Sequence, residues 1–342
     1  MSAIRIAAIR IAILGLNFGR HICTELMTRS DLQLVAVIDQ DRAKAEAVAQ
    51  EHHLIAHSDL TVALADPTIE AIGIFTGPKN RAALIERCLR AGKHVMTTKP
   101  FEQDPVAAQR VLELARELGL TLHANSPSPG AADLALMRHW IQVHDLGRPV
   151  AARCDVWNSY QEVADGSWYD DPLACPVPPI YRLGIYLIND LIELMGQPAA
   201  VQVQSSRLFT KRPTADHAQL SIRFADGGLA HILASLCIGD GDGYRNGLAL
   251  QCERGSIYRN WGPERGAERC TLNVVKAQHG QRAVMERATL PTLSGDYEWA
   301  TFVSAVHNSG QPRLNPATVC GAIRVIAAMD EADRSGHEVR MS

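Results

Sequence analysis

Lys99 lies in MTTKPF (96–101), at the carboxyl end of an apolar run that reads as a parallel strand. Open α/β sheets bind their ligands at that end. Tyr186, in LGIYLINDLIELMG, follows Arg182 by four residues and precedes Asn189 by three, so a helix aligns the three on one face. An ammonium and a phenol can move a proton between them and a substrate. Each also has a plainer account: a solvated lysine before a strand-ending proline, and a hydrogen-bonded tyrosine in a core.

A third chemical feature is AILGLNFGRHI (12–22), where Gly15 makes a tight turn between an apolar run and a helical pattern. A helix opening after such a turn offers backbone N–H groups and the positive end of its dipole to a pyrophosphate. The glycine pattern is incomplete, with Asn17 and Arg20 where further glycines are usual. Asn17 tolerates left-handed backbone, although its side chain is expected to crowd the phosphate. Phe18 and Gly19 complete the turn, and Thr76 joins it as a candidate contact from the end of the third strand. Asp39 ends the second apolar run 24 residues after Gly15. That is near the ~20-residue spacing at which a carboxylate meets the adenosine ribose. Its charge favours NAD, whereas Arg42 is placed to receive a 2′-phosphate, so NADP stays open.

These residues need a scaffold, and the sequence supplies one. IAIL, LQLVAVID, AIGIFTG, HVMTTKP and LTLHAN read as strands, separated by helical stretches that include an Asp104-Pro105 start and closing glycines at 92 and 119. This alternation builds a parallel sheet wound by helices on both faces. After the Ser/Pro linker NSPSPG (125–130) the texture changes to alternating strands: RPVAARCDVW, AAVQVQSSRL, AQLSIRFADGGLAHILASL, LALQCERGSIYR and TLNVVKA. Four helical stretches accompany them, and Asp226-Gly227-Gly228 reads as a hairpin turn. The chain is thus expected to be α/β, with a doubly wound parallel sheet over 1–124 and an α+β domain with a large, mostly antiparallel open sheet over 125–342.

Composition narrows the function. With 342 residues, 46% hydrophobic, 21% charged and a net charge of −3, the chain reads as a soluble two-domain protein without a basic field for nucleic acid. The apolar N-terminus is broken by Arg5 and Arg10, which fits neither a signal peptide nor a membrane span. Eight scattered cysteines lack any C-x-x-C pair and read as reduced thiols of a cytoplasmic protein. GDGDGYRNG (239–247) has spaced aspartates but not the ligand order of a calcium loop, and His217 reads as structural, so no metal is expected.

In their order along the chain, the glycine turn, the Asp-ended second strand, AGKHVMTTKP, the Gly-Tyr helix and the terminal SGHEV resemble the glucose-fructose oxidoreductase and inositol dehydrogenase family (Gfo/Idh/MocA). AGKHVMTTKP is similar to that family's A-G-K-H-V-x-x-E-K-P, with Thr98 in place of Glu. The resemblance implies an N-terminal Rossmann domain binding NAD(P), and a C-terminal sheet that mediates a homo-oligomer, dimer or tetramer. It carries the family's lysine onto Lys99 and its L-G-x-H-x-x-D pattern onto Leu183, Gly184, Tyr186 and Asn189. Tyrosine at 186 is similar to the branch in which a tyrosine gives and takes the proton. Arg182 departs from the usual acidic residue, Arg81 from a usual histidine, and the stretch after Asn125 lacks a usual arginine.

The chemistry implied is hydride transfer between nicotinamide and a secondary alcohol or carbonyl, with Lys99 and Tyr186 handling the proton. A free phenol, pKa ~10, is a poor base at neutral pH, and a nearby ammonium stabilises its phenolate. Asn125, Trp168, Arg182 and Asn189 are the candidate substrate contacts, in or near a polar and aromatic loop at 158–171 whose Asp165, Asp170 and Asp171 suit a hydroxyl-rich ligand such as a sugar or cyclitol. The alternative is a dinucleotide-binding sensor of the same fold that does not turn over.

Overall fold

Packing divides the chain into two units in a computed structural model that describes residues 7–125, 132–160, 162–241, 244–262, 269–291, 298–308 and 316–341. The first unit alternates β1 (Ile9–Leu14), α1 (Leu16–Leu26), β2 (Leu32–Ile38), α2 (Arg42–His52), β3 (Ile55–His57), α3 (Leu60–Ala65), β4 (Ala71–Ile74), α4 (Arg81–Arg90), β5 (His94–Thr98), α5 (Pro105–Glu117) and β6 (Leu122–Asn125). All pairings are parallel, in the order β3-β2-β1-β4-β5-β6. This is the doubly wound order whose ligand crevice opens where the strand order reverses, beside β1 and β4. β1 and β4 are apolar nearly throughout because a parallel strand is covered on both faces. The four residues IRIA stand at 4–7 and again at 9–12, where they open β1, and residues 1–6 lie outside the described residues.

Local signals set several helix boundaries. Asp104 accepts N–H bonds from Val106 and Ala107 with Pro105 in the first turn of α5, and Gly92 and Gly119 adopt positive φ just beyond α4 and α5. β3 and α3 do not stand out in the sequence. A three-residue strand and a six-residue helix are too short to show a period.

The second unit contains α6 (Ala132–Val143), β7 (Pro149–Asn158), a π-helical turn (Ile180–Gly184) running into α7 (Ile185–Met195), β8 (Pro198–Ser206), β9 (His217–Phe224), β10 (Leu229–Ser235), β11 (Tyr244–Cys252), β12 (Gly255–Arg259), β13 (Arg269–Gln278) and β14 (Gln281–Pro291). α8 (Trp299–His307) then belongs to the first unit, before α9 (Pro316–Ser335) and β15 (Val339–Arg340) complete the second. The nine-stranded sheet runs β14-β13-β12-β11-β7-β10-β9-β8-β15, antiparallel except for the β7–β10 pair. Gly227, at φ 92°, turns the β9–β10 hairpin as its sequence demands. Met137 and Trp140 of α6, Leu187 and Leu191 of α7, and Val325 and Met329 of α9 join strand residues in one core.

α8 is the element whose place its sequence conceals. Trp299 and Phe302 are fully buried among Ile9, Ile11, Val37, Phe75 and Met96, so a helix encoded near the C-terminus completes the core of the N-terminal sheet. Each such aromatic contributes about 1.5–3 kcal/mol by leaving water. Glu298, leading into α8, lies 3.3 Å from His123 on β6. All eight cysteines are free thiols, and among the described residues no helix is long and apolar enough to cross a membrane.

Candidate functional site

Gly15 closes β1 at φ 88°. A Cβ there would stand 2.9 Å from the backbone nitrogen of Thr76, an atom that cannot move aside, so no other residue fits this turn. The close-packing glycine of the turn is Gly19, not the residue after it: a Cβ at 19 would meet Ile13 Cγ2 at 3.0 Å. Arg20 is exposed and pairs with Glu51 of α2 at 2.7 Å. Asn17 is drawn to α2 as well, its Oδ1 accepting from Lys44 Nζ at 2.7 Å. The two residues that break the glycine pattern are therefore both engaged with α2.

Asp39 is fixed by the same turn. One carboxylate oxygen accepts from the Leu16 N–H at 2.8 Å and the other from the Asp41 N–H at 3.0 Å. Each oxygen keeps an acceptor direction for a ribose hydroxyl. Arg42 lies along its own helix, exposed and bound to Glu46 at 2.7 Å. Lys44, not singled out from the sequence, is the α2 cation that reaches the turn. Its signal was only a second cation two residues after Arg42. Phe18 is 41% exposed, its ring 6.1 Å from that of Phe75. Thr76 is partly buried opposite Gly15. The turn, the start of α1 behind a Gly15 that has no side chain to cap it, and the Asp39 carboxylate suit an NAD-type dinucleotide: pyrophosphate on the helix start, ribose on Asp39.

Lys99, partly buried, follows β5 directly. The residues on either side of it are held by Arg81, which is only 2% exposed. Its guanidinium donates to the carbonyls of Thr98 at 2.6 Å and Pro100 at 2.9 Å, and to that of Thr76 beside the glycine turn. Buried Glu102 accepts from the Ala82 N–H at 2.7 Å, tying this segment to the first turn of α4. In AGKHV, Lys93 spends its ammonium on the Asp66 and Ile69 carbonyls at 2.7 Å each. His94 accepts from the Thr121 N–H, and burial pushes its ring pKa down. Both are scaffold residues. Asn125 ends β6, and its side chain lies outside the described residues.

In the second unit Tyr186 is the second residue of α7, partly buried against the core. The expected single helical face over 182–189 is interrupted, because Arg182 lies in the π-helical turn that follows Val177, at φ 44°, and Pro178-Pro179. π-turns inside helices commonly accompany functional sites. Arg182 grips Glu162 with two bonds of 2.7 Å and sits 4.0 Å from the ring of Tyr169 and 4.9 Å from that of Tyr160. Arg212, which the sequence did not single out, binds Glu162 at 3.2 Å, Asp165 at 3.0 Å and Asp170 at 2.6 Å. Two of the three aspartates expected to meet a ligand therefore brace the 162–171 segment, and Asp171 accepts from the Leu173 N–H. Trp168 packs 4.2 Å from the ring of Tyr169 and edge-on to Tyr181. Asn189 is 1% exposed, and its neighbour Asp190 forms a buried pair with Arg259 at 2.6 Å, which also holds Asp133 at 2.8 Å.

This brace makes a pH prediction. Hydrogen bonds from Arg212 and Ser167 hold the Asp165 carboxyl below its ordinary range, and the bonds and charges of Arg182 and Arg212 outweigh burial to do the same for Glu162. Depressed carboxylates contribute stability above their unfolded pKa values of ~4, and that stability is lost as pH falls through the folded values. The urea midpoint of the wild type should therefore drop below about pH 4 more steeply than that of Arg212→Met. Parallel curves would show that the brace adds nothing.

Comparison with known proteins fits both units. Residues 9–126 match the family model described as oxidoreductase family, NAD-binding Rossmann fold, and residues 134–258 match the GFO/IDH/MocA C-terminal domain. An uncharacterised oxidoreductase, C115.03 of Schizosaccharomyces pombe, is 23% identical over 57% of this chain and 54% of its own. Inositol 2-dehydrogenase of Streptomyces avermitilis is 26% identical over 67% of this chain and 65% of its own. The chain thus spans between half and two thirds of the length of these curated relatives. Levoglucosan dehydrogenase, solved with NADH and L-sorbose, superimposes with a TM-score of 0.78 over 98% of this chain and 99% of its own, at 17% identity, a likeness of fold.

Proposed function

Since this chain belongs to the GFO/IDH/MocA oxidoreductase family, we propose that it is an NAD(P)-dependent dehydrogenase or reductase acting on a sugar, cyclitol or related polyhydroxylated compound, with Lys99 and Tyr186 as its acid/base pair. The observation that carries the cofactor half is the Gly15 turn with Asp39 bonded to it. The names of the inositol and levoglucosan dehydrogenases support the substrate class. When bound, the nicotinamide accepts or supplies the hydride. Tyr186 takes the hydroxyl proton as an alcohol becomes a carbonyl, and returns it in reduction. Lys99, as an ammonium, stabilises the phenolate and orients the reacting oxygen. The same reading makes the protein a cytoplasmic homo-oligomer, dimer or tetramer, assembled through the nine-stranded sheet, with no nucleic-acid or membrane partner.

Asp39 sets the cofactor preference. NADH should bind more tightly than NADPH, because the carboxylate repels a 2′-phosphate. Asp39→Ala should weaken NADH by on the order of 10–100-fold, the worth of hydrogen bonds to a charged group, while leaving Lys44 to hold NADPH. Titration of nicotinamide fluorescence measures both. Failure of the wild type to bind either nucleotide would end the oxidoreductase reading, and binding without turnover on a panel of sugars and cyclitols would favour a sensor.

A further inference from the structure

Three different ligand types converge at the open end of the β9–β10 hairpin. A carboxylate oxygen of Asp216, a ring nitrogen of His217 and the sulfur of Cys237 all lie within 4.8 Å of one another. The strand pairing creates this meeting: His217 stands opposite Ser235, and the Leu236 N–H donates to the Asp216 carbonyl at 2.9 Å, which brings Cys237 alongside. Asp216 is fully buried. Its Oδ2 accepts the N–H groups of Phe209 at 2.7 Å and Thr210 at 2.8 Å, and its Oδ1 accepts that of Leu208 at 2.9 Å. Oδ1 faces His217 Nε2 at 3.9 Å, beyond hydrogen-bonding distance, and that buried nitrogen has no hydrogen-bond partner among the described residues.

We propose that Asp216, His217 and Cys237 form a binding site for a divalent cation of the zinc class, with water as the fourth ligand. The donor set makes the selection. Calcium and magnesium need six or more oxygens, whereas one nitrogen, one sulfur and one oxygen suit a borderline-soft tetrahedral ion. Bond lengths of about 2.0–2.3 Å place tetrahedral ligand atoms roughly 3.3–3.8 Å apart, so the His217–Asp216 separation need close only slightly. A cysteine binds a metal as its thiolate, whereas an ordinary thiol is protonated at neutral pH. Binding therefore releases the thiol proton to solvent as the metal–sulfur bond forms. The ion would pin the 207–215 loop, whose Arg212 braces Asp165 and Asp170.

Zinc competition with a chromophoric chelator tests the proposal on the full chain. The wild type should bind one equivalent. His217→Ala and Cys237→Ser should each weaken that binding by at least ~100-fold, since even partners of the ligands cost 10–100-fold. His279→Ala, an exposed histidine on the β13–β14 turn, should bind as the wild type does. Loading the wild type with cobalt should give a thiolate-to-metal charge-transfer band, a readout independent of whether any variant folds. Equal zinc binding by wild type, His217→Ala and Cys237→Ser, or a cobalt complex without the thiolate band, would overturn the site. Neither nucleotide nor turnover enters the measurement, so it stands or falls separately from the oxidoreductase reading.

Discussion

Tyr186→Phe should turn over the true substrate at least ~100-fold more slowly while binding NADH as the wild type does, because it removes one hydroxyl and leaves the glycine turn untouched. The loss should fall on kcat more than on KM, since proton transfer is made only in the transition state. Lys99→Met should give a similar loss and also move upward the limb of the pH–rate profile that the tyrosine sets, the acidic limb in oxidation and the alkaline limb in reduction. In the proposed pair the ammonium stabilises the phenolate, and without it a phenol ionises closer to its free value of ~10. Tyr186→His restores a proton-carrying group at the position where the family usually has histidine, and should recover part of the lost rate. Near-normal turnover by Tyr186→Phe would remove the tyrosine from the chemistry.

Arg81→Met is the second change with a large expected effect. Arg81 is buried, and its guanidinium donates to three carbonyls belonging to two strand ends and to the residues flanking Lys99. Methionine fills much of the volume but leaves those carbonyls without donors, each at about 1–3 kcal/mol. A loss of about 3 kcal/mol or more is a large share of the 5–15 kcal/mol typical of a domain, and should appear as a clear fall in the urea midpoint. Arg81→Lys should rescue little, because an ammonium cannot reproduce the planar fork that spans three acceptors. Where the variants fold, turnover should fall further than NADH affinity, as the Lys99 backbone loses its restraint. An unchanged urea midpoint for Arg81→Met would mean that the three bonds contribute nothing net.

Much of the N-terminal unit was legible before folding was considered. Gly15, Asp39 and Lys99 belong to turns and strand ends whose geometry follows from local sequence. The alternation of apolar strands with amphipathic helices places strand ends on one edge of a parallel sheet. The hairpin at Asp226–Gly228 and the Asp104-Pro105 helix start were legible for the same reason: one residue's backbone preference sets each.

Other features depended on partners distant in sequence. β14 escaped notice because QRAVMERATLP is polar and largely exposed, and only pairing with β13 makes it a strand. Arg182, Asp165 and Asp170 looked available for a ligand until Glu162 and Arg212 proved to hold them. Arg42 and Lys44 are equally basic in sequence, yet only Lys44 reaches Asn17.

By itself, then, the sequence determined most of the succession of elements, the doubly wound sheet and the position of the glycine turn, because propensity, periodicity and turn chemistry act over a few residues. Only the tertiary structure decided that α8 completes the N-terminal core, that Gly19 takes the packing role and that Arg81 clamps the backbone around Lys99. It also brought Asp216 and His217 to Cys237, some 20 residues further along the chain. Burial and charge pairing depend on which segments meet, and a linear pattern of residue types does not encode those meetings locally.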